Sequence, residues 1–217
     1  MPDHRIHTEA DLERGIDALV AADPRFAALI AKAGRPPLRR RTGGFAGLAS
    51  TVVSQQLSTA SAGAIWGRLS AAFDPVEPAA IIRARKERLA RIGLSGPKIR
   101  ALKEIARAVV RGELALATLG DIDADAAHAA LTAVHGIGPW TADIYLLGCL
   151  GHADAWPAGD LAVQEAMRLA FHLKARPSTN EMGPLAEPWR PLRGVAALLL
   201  WSYYRAIKKR DPVPIQP

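Results

Sequence analysis

The residues best spaced for chemistry lie in Leu131-Thr132-Ala133-Val134-His135-Gly136-Ile137-Gly138-Pro139-Trp140-Thr141-Ala142 and, about 20 residues later, in Trp156-Pro157-Ala158-Gly159-Asp160-Leu161. Gly136 and Gly138 bracket one apolar residue, so the backbone can turn sharply with positive φ at either glycine and present N–H groups at a helix start. Pro139 suits the first helical turn, where its missing N–H would have had no partner. A helix, a tight hairpin and a second helix are expected, with a helix start suited to phosphate. Asp160 follows a Pro-Ala-Gly turn and precedes an apolar helical pattern. It can cap that helix, or place a negative charge beside a developing positive one, and the two roles are compatible. Asp143, within the second hairpin helix, and Asp154, in the intervening loop, read as solvated or paired. His135 has no metal-ligating partner at suitable spacing and reads as structural or phosphate-facing.

The elements that must hold these residues are helical throughout. Leu12, Ile16, Leu19 and Val20 form one apolar stripe, and Ile99, Leu102, Ile105, Ala106 and Val109 form another after the Ser95-Gly96-Pro97 break. Leu48, Val52, Ala60, Ala64 and Leu69 are read along one longer helix whose small residues permit close packing. Leu161, Met167, Ala170 and Phe171 describe the helix that Asp160 precedes. Val195 to Ile207 is apolar on almost all sides, which predicts a buried helix. Breaks are expected at Gly34 to Pro37, Phe73 to Pro75, Gly93 to Pro97, Gly151 to Gly159 and Arg176 to Pro191, where proline and glycine cluster. No paired alternating runs flank a hairpin turn as strands would. The expected class is all-α.

A chain of 217 residues with 49% hydrophobic content can bury a substantial core, and its formal net charge of +7 favours a polyanionic partner. The lone cysteine, Cys149, excludes an intramolecular disulfide and a four-cysteine iron–sulfur site built from this chain. Neither a secretory signal pattern nor an apolar run of membrane-spanning length is present, and a cytoplasmic protein, nucleoid-associated if prokaryotic, is expected. The basic run Arg83, Arg85, Lys86, Arg88 and Arg91, with Lys98, Arg100, Lys103 and Arg107, reads either as reinforcement of phosphate binding or as a solvated face. Arg205, Lys208, Lys209 and Arg210 read the same way. The two ends, Pro2 to His7 and Asp211 to Pro217, read as irregular tails.

Taken in order, Val53-Ser54-Gln55-Gln56-Leu57-Ser58, Gly93-Leu94-Ser95-Gly96-Pro97-Lys98, the hairpin, Asp160 and Trp189-Arg190-Pro191-Leu192-Arg193 leading to Trp201 resemble the helix-hairpin-helix DNA glycosylase superfamily. Within it, the resemblance is to the DNA-3-methyladenine glycosylase II family, over nearly all of the chain from about Asp23 onward. That likeness implies a two-lobed, all-α fold with the active cleft between lobes: residues 1–43 joining a C-terminal lobe at 153–217, and a central lobe at 44–152 with the hairpin at about 131–145. It implies a monomeric, monofunctional glycosylase that flips alkylated, cationic purines such as 3-methyladenine out of double-stranded DNA and hydrolyses the N-glycosidic bond. An additional N-terminal β-rich domain, found in some relatives, is not expected, because the shared region begins so near the start.

Residue by residue, Asp160 takes the catalytic position, stabilising an oxocarbenium-like sugar, with water activation or orientation as a second open role. One carboxylate can suffice, since an N-alkylated purine already carries positive charge and departs readily. Trp140 and Trp201 are the base-pocket candidates, their electron-rich faces attracting a cationic ring, although either can be a core aromatic. Gln56, or Leu57 beside it, is the wedge that fills the gap left by the flipped nucleotide; a solvent-facing Gln and a core Leu are the plainer readings. Gly136, Gly138 and Thr141 grip the DNA backbone. The carbonyls of Thr132, Val134 and Ile137 would hold a monovalent cation, sodium or potassium. The rival functions are a glycosylase/lyase of the endonuclease III type, which needs a lysine where this chain has Trp140 and commonly a cysteine cluster, and a non-enzymatic DNA-binding module, against which Asp160 and the tryptophans speak.

Overall fold

The computed structural model describes residues 5–208; Lys209, Arg210 and the proline-rich end lie outside the described residues. Twelve α-helices and no strand are found among them, with a lone bridge between Arg5 and His152. They divide into two compact units, one formed by Met1–Arg40 with Leu150–Pro217 and the other by Arg41–Cys149.

In the first unit, α1 (Glu9–Ala22), α2 (Arg25–Ala33) and α10 (Leu161–Ala170) each pack on α12 (Arg193–Lys208). The last is apolar on most sides, and Val195, Ala196, Ala197, Leu199, Leu200 and Trp201 are all buried. Leu12, Ile16 and Leu19 face inward from α1, which starts at a capping box in which Thr8 and Asp11 satisfy each other's backbone N–H groups. Asp23 ends the turn after α1 and is bonded on several sides. It accepts from Arg25 Nε at 2.8 Å and Nη2 at 2.6 Å, and from the Trp189 indole N–H at 2.9 Å. These bonds, the Arg25 side chain foremost, draw the Asp23 carboxyl down from 3.8 to about 2. Phe26, Phe171, Trp156 and Trp189 stack mostly edge to face around this point. The stretch expected as a long break, Arg176 to Pro191, instead contains α11 (Thr179–Ala186), opened by a second capping box between Ser178 and Glu181.

The second unit holds α3 (Gly44–Ser54), α4 (Thr59–Ala72), α5 (Pro78–Arg83), α6 (Lys86–Ile92), α7 (Gly96–Val110), α8 (Ala124–Thr132) and α9 (Pro139–Tyr145), with a π-helical turn at Leu146–Leu150. Helix α3 is central, packing on α4, α7 and α9. The single long helix expected through Leu48 and Leu69 is two helices broken at Gln55–Ser58, and Ala60 and Ala64 are exposed rather than packed. Ser58 starts the second one by accepting the Ser61 N–H, so a strong N-cap overrode the continuous apolar pattern.

Four cations of this unit reach backbone carbonyls at helix ends. Lys98 Nζ donates to the carbonyls of Val53 and Gln55 at the end of α3, and Lys103 Nζ to those of Ile82 and Ala84 at the end of α5. Arg88 reaches Ala72 O, the last residue of α4, and Arg68 reaches Ile92 O, the last residue of α6. Each satisfies orphaned carbonyls at the negative end of a helix dipole. Arg107 pairs with Glu104. Part of the basic run is therefore internal capping, while Arg83, Arg85, Lys86, Arg91 and Arg100 are exposed.

Candidate functional site

Asp160 is the N-cap of α10 and is only 6% exposed. Its Oδ1 accepts the Ala162 N–H, the Val163 N–H and the Trp201 indole N–H, each at 3.0 Å. Three donors on one oxygen fix the plane of the carboxylate, and the helix start beside it favours negative charge. The cap reading holds, and the geometry is compatible with the charge-bearing one. Trp201, 4% exposed, is committed through its N–H to Asp160, so what it offers the site is chiefly the orientation of that carboxylate.

The loop that delivers Asp160 is bonded along its length. Asp154 accepts from Arg193 Nε at 2.9 Å and Nη2 at 2.7 Å, and from Arg190 Nη1 at 2.8 Å. The Gly194 N–H donates to Ala153 O at 2.7 Å, pinning the start of α12 to the same loop. Further along, Trp156 Nε1 donates to Met182 O, Gln164 Nε2 to Ala158 O, and the Asp160 N–H to Pro157 O. Asp154 is a structural anchor, as its pairing suggested. Gln164 gave no sequence signal, because a buried Gln inside an amphipathic helix reads as an ordinary polar position. Leu161, expected on the apolar face of α10, is 63% exposed, and an open cavity of about 550 Å³ beside it is lined also by Glu165, Arg176, Tyr204 and Lys208.

The hairpin joins α8 to α9 in the other unit. Gly136 has φ +99°, and a Cβ there would lie 2.7 Å from the Ala101 Cβ and 2.8 Å from its Cα, so both the turn and the approach to α7 require glycine. Gly138 is the N-cap of α9 with φ −84°, exposed, and nothing lies within 4 Å of its missing Cβ. No side chain caps this helix start. Thr141 is 1% exposed, and its hydroxyl accepts from Gln55 Nε2 at 2.6 Å. Across the hairpin, His128 Nε2 stands 3.6 Å from Asp143 Oδ1, and burial holds the imidazole below its usual range against the opposing pull of Asp125. His135 is exposed and Trp140 half-buried.

Gln56 and Leu57 sit on the exposed loop between α3 and α4. Gln56 adopts φ +55°, an unusual conformation for a residue with a Cβ, and Leu57 is 39% exposed. Neither is a core residue. Thr132 ends α8, and Val134 and Ile137 lie in the turn, where the Val134 carbonyl accepts the Ile137 N–H at 3.1 Å.

A family model described as HhH-GPD superfamily base excision DNA repair protein matches residues 49–191, a span that holds the loop at Gln56, the hairpin and Asp160. The chain belongs to this superfamily. It is similar to Schizosaccharomyces pombe 3-methyladenine DNA glycosylase Mag1, solved in complex with abasic DNA, at 26% identity and a TM-score of 0.77, over 88% of this chain and 95% of that one. It is similar to a DNA-3-methyladenine glycosidase from Bacillus halodurans at 28% identity and a TM-score of 0.78, over 90% and 91% of the two chains. The probable bifunctional transcriptional activator/DNA repair enzyme AlkA of Mycobacterium tuberculosis is 32% identical over 89% of this chain, a match that spans 40% of that longer protein. HhH-GPD membership accounts for the all-helical fold and for the order in which the loop, hairpin and aspartate occur. No helix among the described residues is long and apolar enough to cross a membrane.

Proposed function

We propose that this HhH-GPD protein is a monofunctional DNA glycosylase that removes alkylated, positively charged purines such as 3-methyladenine from double-stranded DNA. The observation that carries the reading is the carboxylate of Asp160, buried and fixed by three donors at a helix start. As the bond between C1′ and the base nitrogen breaks, its electron pair leaves with the base, which neutralises the purine and places positive charge on the sugar. A pre-oriented carboxylate stabilises that charge without reorganising. Water then adds to C1′ and gives up a proton, leaving an abasic site. Orienting that water is the second role proposed for Asp160.

The other residues divide the remaining work. Gly136 shapes the hairpin, and Gly138, exposed at an uncapped helix start, lies against backbone phosphate. Gln56 and Leu57 fill the gap from which the nucleotide has turned. Trp140 offers its ring to the cationic base, and Trp201 holds Asp160. Thr132, Val134 and Ile137 supply carbonyl oxygens, donors suited to a hard monovalent cation, and the Val134 oxygen keeps a second lone pair beyond its bond to Ile137. Such an ion would supply positive charge toward a phosphate and take no part in bond cleavage.

Base release from duplexes carrying 3-methyladenine, 7-methylguanine, hypoxanthine or a methylated pyrimidine tests the reading. Faster release of the two cationic purines, with strands left intact until alkali is added, is expected. A protein–DNA adduct trapped by borohydride would establish the lyase instead, since that mechanism passes through an amine–sugar Schiff base.

A further inference from the structure

The loop at Gln55–Ser58 is held by two side chains from other helices, and both holds fall on residues next to the exposed pair. Lys98, near the start of α7, places its ammonium 2.7 Å from Val53 O and 2.8 Å from Gln55 O. These carbonyls end α3, and Gln55 is its C-cap. One residue on, the chain enters the left-handed region at Gln56, φ +55°. Without an inward partner, a helix end of this kind frays or turns into another cap. Gln55 is also tied by its side chain, whose Nε2 donates to the buried Thr141 Oγ1 at 2.6 Å, on the helix that begins at Gly138. The backbone of Gln55 is thus bonded to α7 and its side chain to α9, while Gln56 and Leu57 project outward from the same point.

Fixing a lysine here is costly, because burial disfavours the charged form and pushes the Lys98 ammonium below the ordinary lysine range. Two carbonyls at the negative end of α3 offset that cost. A cap that served only to close α3 could use water or a glycine, as Gly93 does at the end of α6.

We propose that Lys98 and Gln55 are positioning residues for nucleotide flipping: Lys98 sets the backbone from which Gln56 and Leu57 enter the duplex, and Gln55 ties that backbone to the hairpin helix. This rests on the reading of Gln56 and Leu57 as the wedge. When the hairpin seats on phosphate, the insertion loop is then already in register, and its ordering entropy has been met in folding rather than on the DNA.

The test compares Lys98→Met, Gln55→Ala and the double substitution Gln56→Ala with Leu57→Ala. Each is measured by single-turnover release of the alkylated purine that the wild type removes fastest, once from a paired duplex and once from the single strand, where no pair need open. Lys98→Met is expected to slow release from the duplex about 10-fold while changing the single-strand rate by no more than about two-fold, the effect of losing a charge-assisted hydrogen bond. The fluorescence of 2-aminopurine placed opposite the lesion should rise less on binding. On the Gln56→Ala and Leu57→Ala background, Lys98→Met should add almost nothing, because it acts through that loop.

Equal losses on both substrates, or full additivity with the wedge substitutions, would overturn the inference and leave Lys98 as a plain helix cap. If Lys98→Met fails to fold, Gln55→Ala carries the same comparison, since it removes only the bond to Thr141. A wild-type ratio of duplex to single-strand rates in the doubly substituted wedge variant would instead show that the wedge reading itself is wrong.

Discussion

The surroundings of Asp160 and those of the hairpin with its neighbouring loop solve opposite problems. Asp160 is buried, its Oδ1 holds three donors, and the loop before it is bonded at Ala153, Asp154, Trp156, Pro157 and Ala158. Gly138, Gln56 and Leu57 are exposed, and Gln56 keeps a backbone conformation that side chains with a Cβ seldom adopt. Under the proposed function, Asp160 stabilises charge at the moment it forms and gains from immobility. Under the same proposal, Gly138, Gln56 and Leu57 meet a DNA strand and have to stay open, and only the backbone beneath them can be fixed. Rigidity in this protein therefore lies in the side chain at one place and behind the side chain at the other.

The most damaging way to break that contrast is Asp160→Asn. The amide oxygen can still accept the Ala162, Val163 and Trp201 N–H bonds, so folding and lesion-DNA binding should persist while single-turnover release falls about 100-fold or more. An unchanged rate would remove Asp160 from the chemistry. Trp201→Phe keeps the buried ring but deletes the third donor. Release should slow by about 10-fold to 100-fold, the range for a hydrogen bond to a charged group, with little change in duplex affinity measured by titration.

The two hairpin glycines should separate. Gly136→Ala is expected to cost at least about 2 kcal/mol of stability in denaturant unfolding, from the positive φ and the collision with Ala101. Gly138→Ala should leave stability within about 1 kcal/mol yet weaken duplex binding several-fold, its new methyl standing at the helix start. Equal effects at both positions would show that the hairpin acts as one stiff turn with no contact face.

Asp23 tests how firmly the unit that carries Asp160 is set. Its folded pKa, about 2, lies below the 3.8 of the free side chain. The stabilisation it contributes is therefore full above about pH 4 and is lost as pH falls through about 2. Asp23→Asn should cost about 1–2 kcal/mol at pH 7, with the difference from wild type shrinking steadily below pH 4. A gap independent of pH would show that packing of Trp189, not charge, accounts for the loss. The smallest expected effect is in selectivity: Trp140→Ala should lower the ratio of cationic to neutral base release by about three-fold to ten-fold, and an unaltered ratio would take Trp140 out of the pocket.

Apolar spacing predicted the buried stripe of α1 and the buried α12, and the glycines with Pro139 predicted the helical pair at the hairpin. Apolar spacing misjudged the region around Gln55, because Val52 and Ala60 read as one helical pattern that the Ser58 cap interrupts. It also placed Leu161 inward, although the turn that makes Asp160 a cap rotates the next residue outward. Lys98 and Lys103 read as members of a surface charge run, since nothing in local spacing says which carbonyls a lysine reaches 43 residues away, as Lys98 does, or 19 and 21 away, as Lys103 does.

Order along the chain was enough to fix the helical class, the glycine-rich hairpin and the aspartate at a helix start, because each depends on neighbours within a few residues. The convergence of Trp201 on Asp160, of Arg190 and Arg193 on Asp154, and of Lys98 and Thr141 on Gln55 depended on the tertiary structure. Those bonds join residues about 40 or more positions apart, except within the arginine clamp, where the separations are 36 and 39. Such partners meet only when whole helices pack, so hydrogen-bond direction and burial, the two quantities that set a carboxylate's strength and a loop's shape, are decided by the fold and not by the local sequence.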